Sequence, residues 1–478
     1  MIFNSFDFLW MFPVIFLLYY LIAGNSWINS KIPRIGNFFL LFCSYALYIK
    51  VEPVYALILL AVTAITYCAG RLFASNGQGK RRRILCFCLV TLALVPLLVF
   101  KYYNFVSSQL GILLGWFGVE IGLKGFNYVV PLGLSFYTFQ AIGYVFDVYY
   151  KRINPEYNWW DYMLFVAFFP QIASGPISKA KYLLPQIKEK RTFSEVQATE
   201  GLRLLLWGMF MKTVLADRLG LYVDAVFDNY QYQNGLSLAL GGILYSFQIY
   251  GDFAGYSFMA VGVGKLMGFD LINNFRRPYF SVSISDFWRR WHISLSIWLR
   301  DYVYIPLGGS RCSKLRNYLN ILITFLVSGI WHGANWSFIV WGLIHGIVQV
   351  FEKMLNLSKS GKSKGGNAIR VAVTFCIVTL AWIIFRMPSL SDGVQLISRM
   401  FTSQPLPVYY PSLSACVFMS SAMIVVVFKD SIEEYFNVSD CLALVKSTVL
   451  RWSCYVVILA MILLFGVLDS STFIYVNF

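Results

Sequence analysis

The three histidines of this 478-residue chain, His292, His332 and His345, lie within one stretch of its sequence. They are its only side chains whose ordinary pKa is near neutrality. A buried neutral imidazole suits a general base, because burial disfavours its charged form and leaves it ready to take a proton from a hydroxyl group. No serine or cysteine stands in a nucleophile motif such as G-x-S-x-G, so direct transfer is simpler than an acyl-enzyme. The residue types therefore predict acyl transfer to an alcohol.

The sharpest candidate is His332, which follows a short apolar segment that begins near Asn317. At about 1.5 Å per residue this segment climbs on the order of 22 Å, less than the ~30 Å hydrocarbon core of a bilayer. The W-H-G-A-N turn would then lie within the membrane, where Gly333 permits a bend and Asn335 can cap the returning helix. An ionisable residue at such a break indicates a functional site, and a satisfied buried histidine is the alternative.

Residues 286–304 have the periodicity of one amphipathic helix, which Ser283 and Asp286 begin as a capping box. We predict that it lies along the cytoplasmic membrane interface with its aromatic side towards the lipid. His292 falls at the edge of the aromatic face, where it could point into the protein. Interfacial anchoring alone would also explain the tryptophans and arginines. The apolar face comprises Phe287, Trp288, Trp291, Leu295, Trp298, Leu299 and Tyr302, and the polar face comprises Arg289, Arg290, Arg300 and Asp301.

The third histidine, His345, is flanked by Gly342 and Gly346. This G-x-x-x-G spacing lets another helix approach closely. We therefore interpret His345 as a packing residue.

The composition requires a membrane. Hydrophobic residues make up 58% of the chain and charged residues 13%, and the mean hydropathy is +0.63. An ordinary water-exposed surface cannot be built from such a composition. The formal net charge of +16 is carried by Lys and Arg in short loops, as membrane topology favours, so nucleic acid is not the predicted partner.

The hydrophobic runs predict an all-α polytopic bundle of about 11–12 transmembrane helices in a single domain. The basic loops share one side if the N-terminus is extracytoplasmic. Pro96 should kink the fourth span, and proline and glycine within residues 159–177 favour a re-entrant segment. We divide the chain into N-terminal helices 1–126, a core 127–352, a flexible basic linker 353–370 and C-terminal helices 371–478. The candidate spans are about 6–24, 36–50, 53–70, 83–101, 127–148, 198–216, 236–260, 317–332, 335–352, 371–387, 412–428 and 449–469.

Two long motifs resemble a known family. They are F-W-R-R-W-H-I-S-L-S-x-W-L-R-D-Y-x-Y-I-P-L-G-G, from Phe287 to Gly309, and S-G-I-W-H-G-A-N-W-x-F-x-x-W-G, from Ser328 to Gly342. With them the chain resembles the membrane-bound O-acyltransferase family, in particular its bacterial alginate O-acetyltransferase-like branch. Phe258 and Ser310 depart from the branch pattern, so alginate itself is not named as the acceptor. Further matches are P-L-G-L-S-F-Y-T-F-Q at 131–140 with Asp147, F-F-P-Q-I-A-S-G-P-I at 168–177 and Y-G-D-F-A-G-Y-S at 250–257.

The resemblance implies a helical fold around a channel across the bacterial cytoplasmic (inner) membrane, with His332 at the position of the catalytic histidine. It implies acetyl-CoA or another acyl thioester as a cytoplasmic co-substrate, with no permanently bound cofactor and no metal. His292 stands where other branches carry asparagine, and its implied role is to orient the donor or the acceptor. An extracytoplasmic SGNH-type or related acetyltransferase is the implied partner, which would modify an exopolysaccharide or cell-wall polymer. The residues predicted to contact the donor are Arg289, Arg290, Trp291, Trp331 and Asn335.

Two other functions compete with this one. A related enzyme of the D-alanyl transfer branch would take its acyl group from a carrier protein. A transporter or channel, which belongs to another class, would also use broken helices and re-entrant segments. Against transport, the sequence shows no paired acidic residues of the sort that couple ions within the spans, and no recognisable inverted repeat.

Overall fold

The computed structural model describes residues 3–25, 31, 34–51, 53–75, 79–119, 125–357, 363–402, 405–438 and 440–467. Over these ranges the chain forms helices, turns and loops and no β-strand, which confirms the all-α prediction. The α-helices are α1 Phe6–Gly24, α2 Ile35–Val51, α3 Ala56–Ser75, α4 Lys80–Leu97, α5 Tyr103–Gly115, α6 Leu134–Tyr149, α7 Trp159–Ala167, α8 Phe169–Ile172, α9 Ala180–Lys188, α10 Glu195–Met209, α11 Asp217–Phe227, α12 Gly235–Leu266, α13 Ile284–Arg290, α14 Ile293–Leu299, α15 Lys314–His332, α16 Trp336–Met354, α17 Lys364–Arg386, α18 Leu390–Met400, α19 Leu413–Phe436 and α20 Thr448–Phe465. Segments of π-helix occupy Leu98–Tyr102, Phe210–Ala216 and Arg300–Tyr304.

Each predicted span coincides with an α-helix or with an α-helix and its π-helical continuation. At residues 127–148 the helix begins only at Leu134, seven residues later than predicted, after Gly133 in a left-handed conformation with a φ of 69°. By length and apolar composition, 6 of the described helical stretches could each cross a membrane, fewer than predicted. The larger number of crossings stays a prediction. The stretches are Phe6–Gly24, Ala56–Ala74, Lys80–Gly115, Gly365–Arg386, Leu413–Phe436 and Thr448–Phe465.

Pro96 lies inside α4, where the sequence predicts a kink. Proline has no N–H group to donate to the preceding turn, so it interrupts the α-helical hydrogen bonding locally. The chain passes directly from α4 into the π-helical turn Leu98–Tyr102 and then into α5. The helix therefore changes its geometry immediately after the proline without ending.

The helices pack into two compact units. The first consists mainly of Asp7–Leu202 and Ala260–Ile272. The second consists mainly of Arg203–Met259 and Asn273–Phe478 and contains all three histidines.

In the first unit, residues 159–172 form the helices α7 and α8 with a break at Phe168, and residues 173–177 are not helical. The buried amide of Gln140 holds this break together. Its Nε2 donates to the carbonyl of Phe165 at 2.5 Å, and its Oε1 accepts from Gln171 at 3.0 Å and from the backbone N–H of Ser178 at 3.2 Å. Protein groups thus satisfy the irregular backbone, as is required at membrane depth. The re-entrant path itself stays a prediction.

In the second unit, α15 and α16 form an antiparallel hairpin with closely approaching backbones. A Cβ atom built on Gly342 would lie 2.4 Å from the carbonyl oxygen of Phe325, and one on Gly329 would lie 2.4 Å from that of Phe338. A Cβ on Gly346 would meet the Phe325 side chain at 3.1 Å. The close helix approach predicted from the Gly342 and Gly346 spacing is confirmed.

Two acidic side chains of the second unit hold α13 in place. The Glu352 carboxylate, near the end of α16, accepts the backbone N–H groups of Ile284 at 2.5 Å and Ser285 at 3.0 Å. At the other end of α13, Arg290 pairs with Glu434 of α19 at 2.9 Å. Both ends of this short helix are therefore attached to longer helices.

The predicted linker, residues 353–370, is partly helical. α16 ends at Met354, and α17 begins at Lys364 with Ser363 as its N-cap. A flexible linker is therefore wrong for its C-terminal part, and residues 358–362 lie outside the described residues. The other predicted boundaries of the chain segments stay predictions.

Candidate active site

The predicted single helix over residues 286–304 is wrong, because the chain turns sharply at His292. This residue has φ 43° and ψ 53°, a left-handed conformation that separates α13 from α14. Asn274 stabilises the turn: its carbonyl accepts the N–H of Ile293 at 3.0 Å, and its Oδ1 accepts that of Ser294 at 3.0 Å. A single residue in a left-handed conformation does not change the spacing of the apolar residues in the sequence, so periodicity does not reveal the turn.

Of two predictions about this segment, the N-terminal cap is confirmed and the lipid-facing aromatic side is wrong. Ser283 caps the helix as predicted, since its Oγ accepts the N–H of Asp286 at 3.0 Å. The prediction that the aromatic side faces lipid is wrong, because these side chains are buried inside the protein. The buried residues of the predicted apolar face, which extends over α13, α14 and the following π-helical turn, are Phe287, Trp288, Trp291, Leu295, Trp298, Leu299 and Tyr302.

His292 and His332 belong to one aromatic cluster. His332 is the last residue of α15 and is only 3% exposed. Its ring centroid lies 4.9 Å from that of Trp331, and the Trp331 ring lies 6.0 Å from that of His292. The structure therefore brings both predicted catalytic residues against the same indole.

The same cluster extends to His345 on α16. The Trp341 ring lies 4.9 Å from His332 and 5.0 Å from His345. His345 is fully buried between aromatic rings, with Trp288 at 5.3 Å and Phe287 stacked at 6.2 Å. Ring packing on several sides agrees with the interpretation of His345 as a packing residue, which stays a prediction.

Burial keeps the imidazole of His292 uncharged. The imidazole is completely buried, and burial lowers its pKa to about 3 because the charged form loses its hydration. At neutral pH the ring is therefore uncharged, with one nitrogen a donor and the other an acceptor. Such a ring can orient a neighbouring group by hydrogen bonding.

The turn after His332 contains the predicted Asn335 cap, but the reason for a glycine at position 333 differs from the prediction. Asn335 caps α16, with its Oδ1 accepting the N–H of Ser337 at 2.9 Å. Gly333 is extended, with φ −175°, so it needs no left-handed freedom. A Cβ there would lie 2.1 Å from the ring of Phe338, so lack of space requires the glycine.

The residues predicted to contact the donor have different surroundings. Arg289 is exposed, whereas Arg290 forms ion pairs with Asp286 and Glu434 at 3.1 and 2.9 Å. Trp291 and Trp331 are buried. The Asn335 amide donates to the carbonyl of Pro388 at 2.7 Å. Their contact with a donor stays a prediction.

Sequence reasoning missed two aromatic neighbours of the histidines. Phe253 meets His292 edge-on at 4.7 Å, and it lies within the Y-G-D-F-A-G-Y-S motif, which could have indicated it. Phe385 lies 5.5 Å from His332 and belongs to α17, which lies outside the predicted core 127–352. Nothing in the local sequence of Phe385 indicates this contact.

A buried charge cluster was also missed. Lys212, in the π-helical segment Phe210–Ala216, contacts Asp217 at 2.8 Å and Asp252 at 2.6 Å, and all three are buried or nearly so. Asp252 lies within the predicted span 236–260, but Asp217 lies one residue beyond the span 198–216, so the absence of paired acidic residues of the sort that couple ions stays a prediction. Both carboxylates share one lysine, an arrangement that satisfies buried charges.

Taken together, the described residues form a helical membrane protein with a buried cluster of histidines at two helix breaks. The chain belongs to the membrane-bound O-acyltransferase family, whose model matches residues 150–385. This range contains all three histidines and ends at Phe385.

Curated relatives agree with this family. The chain is 36% identical over 405 residues to the probable alginate O-acetylase AlgI of Pseudomonas aeruginosa, which covers 84% of this chain and 75% of the relative. It is 31% identical over 449 residues to the peptidoglycan O-acetyltransferase of Helicobacter pylori, a match that covers 88% of this chain and 83% of the relative. It is 30% identical over 281 residues to the teichoic acid D-alanyltransferase of Streptococcus thermophilus, with 53% and 68% covered. The protein is a multi-pass membrane acyltransferase related to alginate and peptidoglycan O-acetyltransferases.

Proposed function

We propose that the protein takes an acetyl group from a cytoplasmic acyl thioester, acetyl-CoA, and passes it across the bacterial cytoplasmic membrane for O-acetylation of an exported polysaccharide. The observation that carries this proposal is the buried cluster in which His292 and His332 contact one indole, that of Trp331. The relatives support the acetyl group and the polymer, since their names state alginate and peptidoglycan O-acetylation.

In the proposed reaction His332 is the general base. It takes the proton of the acceptor hydroxyl while the oxygen forms an ester bond with the acyl carbon. The carbon–sulfur bond of the thioester breaks, and the proton passes from His332 to the thiolate, which leaves as a thiol. No proton is gained or lost overall, so one imidazole can serve every turnover.

The surroundings of His332 favour the imidazolium that forms during this step. His332 ends the 19-residue helix α15, and the carbonyl end of a helix stabilises a positive charge by about 0.3–1 kcal/mol. This effect acts on the protonated form alone and therefore lowers the barrier to proton transfer.

His292 is proposed to orient the reacting groups and not to carry the proton. Its left-handed backbone is fixed by Asn274, and its ring is neutral at physiological pH. A neutral ring in a fixed position can hydrogen-bond to the thioester or the hydroxyl without competing for the proton. This role agrees with the asparagine that the family resemblance puts at this position in other branches.

The proposed partner is an extracytoplasmic SGNH-type or related acetyltransferase that completes transfer to the polymer. An alternative donor, an acyl group on a carrier protein, would follow the D-alanyl transfer relatives. The chain is 30% identical to the S. thermophilus D-alanyltransferase and 36% identical to the alginate O-acetylase, and this higher identity favours the acetyl donor.

The test uses the purified protein in proteoliposomes with radiolabelled acetyl-CoA and the partner. We expect His332→Ala to lower transfer by about 10²–10⁴-fold, the usual contribution of a general base. His345→Phe, which keeps a ring in the aromatic cage, is the matched control and should retain most of the activity. Thermal unfolding in detergent checks that both variants are folded.

Three results would contradict the proposal. If folded His332→Ala transfers acetyl groups at the wild-type rate, His332 is not the general base. If the protein uses an acyl group attached to a carrier protein but not free acetyl-CoA, the donor is that of the D-alanyl transfer enzymes. Solute flux through proteoliposomes without any acyl donor would favour the transporter.

A further inference from the structure

The first compact unit contains a cavity that the acyl-transfer chemistry does not use. Its volume is about 450 Å³, and it lies at the beginnings of α2 and α7. The lining combines charged, amide and aromatic side chains, so a matching ligand must be partly polar and partly apolar. The lining residues are Arg34, Asn37, Phe38, Asn158, Trp160 and Asp161.

The main hydrogen-bond acceptors of this cavity are already engaged within the protein. Asp161 is buried, and its carboxylate accepts from the Arg34 guanidinium at 2.5 Å and from the Asn37 amide at 3.4 Å. The Oδ1 of Asn158 accepts the backbone N–H groups of Trp160 at 2.9 Å and Asp161 at 3.3 Å, as the N-cap of α7. A ligand that needs acceptors finds few here.

Donors, in contrast, remain available. The Arg34 side chain is 44% exposed, and its planar guanidinium has five N–H groups, of which Asp161 engages one nitrogen. Trp160 is 50% exposed, and the indole N–H of Trp160 and the amide N–H groups of Asn158 have no partner among the described residues. A lining with available donors, one of them charged, favours an anion with several acceptor oxygens, above all a phosphate.

An exposed apolar stripe leads away from the cavity along α2. Phe38, Phe42, Ala46 and Ile49 share one exposed face of this helix, over about 16 Å at 1.5 Å per residue. Phe38 belongs to both the cavity and the stripe, and its ring meets that of Trp160 at 5.7 Å. A polar head at the start of a helix and an apolar tail along it is the shape of a phospholipid.

We propose that this cavity binds the phosphate diester of a membrane phospholipid. Arg34 donates to the phosphate oxygens, Asp161 holds Arg34 in position, and an acyl chain lies against Phe38 and Phe42. A soluble phosphate, including those of coenzyme A, would meet the same donors. The apolar stripe favours the lipid, because a soluble phosphate has no group to place there.

Native mass spectrometry of the delipidated protein, titrated with phosphatidylglycerol, measures binding. Arg34→Gln alone leaves Asp161 buried without its cation, so the principal variant is the double substitution Arg34→Gln with Asp161→Asn, which is neutral and retains hydrogen bonding. We expect it to weaken lipid binding by roughly tenfold or more, as loss of a charged hydrogen bond does. Arg81→Gln removes the same charge from an exposed position outside the cavity and should bind as the wild type does.

A second variant and two competitors separate the lipid from soluble phosphate. Phe42→Ser should weaken lipid binding severalfold, because it removes apolar surface that only an acyl chain covers. Glycerol 3-phosphate and coenzyme A should displace the lipid poorly. Unchanged lipid affinity in the double variant would overturn the site, and displacement by either competitor at concentrations equal to the lipid would overturn its assignment to a lipid.

Discussion

Replacing Gly342 by alanine should separate the two helices of the α15–α16 hairpin and thereby lower the rate of acetyl transfer. The new Cβ would lie 2.4 Å from the carbonyl oxygen of Phe325 and 3.1 Å from the Cα of Gly329. Both neighbours are backbone atoms, which cannot rotate away, so the helices must separate by about 1 Å to reach an ordinary contact near 3.4 Å. Because His332 ends the helix that is displaced, its imidazole moves with it.

The size of the effect follows from this displacement. A misplacement of about 1 Å at a reacting group costs roughly 100-fold in rate, whereas overpacking costs about 1–3 kcal/mol of stability. We therefore expect Gly342→Ala to lower the kcat of acetyl transfer by about 100-fold in protein that still folds. The assay is the proteoliposome reaction with radiolabelled acetyl-CoA, corrected for the amount of folded protein.

Two alanine variants serve as graded controls. The Cβ of Gly346→Ala meets side-chain atoms at 3.1 and 3.3 Å, and its nearest backbone atom, the Cα of Leu322, lies at an ordinary contact distance of 3.5 Å. A shift of a few tenths of an ångström relieves these contacts, so its kcat should fall by less than tenfold. Gly365→Ala meets nothing closer than 4.0 Å and should be neutral. If Gly342→Ala turns over at the wild-type rate per folded molecule, the link between hairpin spacing and the position of His332 is refuted.

Further predictions concern His292, Lys212 and Glu352. His292→Asn should fold, because asparagine tolerates a left-handed backbone, whereas His292→Val should unfold at clearly lower temperature in detergent; equal melting temperatures would contradict this. Since burial lowers the pKa of His292 to about 3, below its ordinary 6.5, the unfolded state gains a proton first as pH falls, and this residue should reduce the free energy of unfolding by about 1.4 kcal/mol per pH unit between about pH 6.5 and 3; the slope measured for His292→Asn should be smaller than that of the wild type by this amount. Lys212→Met leaves two buried carboxylates without their cation and should cost about 3–5 kcal/mol of stability by chemical denaturation, whereas a cost below ~1 kcal/mol would show that the cluster is hydrated. Glu352→Ala removes the acceptor of two backbone N–H groups and should cost about 2 kcal/mol in the same measurement, with Glu352→Gln between it and the wild type.

Local pattern was sufficient for the features that depend on neighbouring residues. The spans follow from apolar length, the Ser283 and Asn335 caps follow from side-chain chemistry next to a helix start, and the close approach at Gly342 follows from glycine spacing. Each of these is decided within about one or two helical turns, so a single sequence contains the information.

The features that were missed depend on residues far apart in the chain. The turn at His292 is stabilised by Asn274, and Phe385 reaches His332 from a helix that begins more than 30 residues later. The burial of the α13 aromatic face has the same origin, because amphipathic periodicity is identical whether the apolar side meets lipid or protein. Sequence pattern identifies an apolar face but not what covers it.

The buried Lys212 has a consequence for how the protein enters the membrane. A lysine at the centre of a helix costs about 2.5–3.5 kcal/mol to insert by itself. Its partner Asp217 follows within two turns, but Asp252 is synthesised 40 residues later, on α12. We therefore expect α10 and its π-helical continuation to remain at the insertion machinery until α12 emerges, so that the two segments enter the lipid together with the lysine already paired.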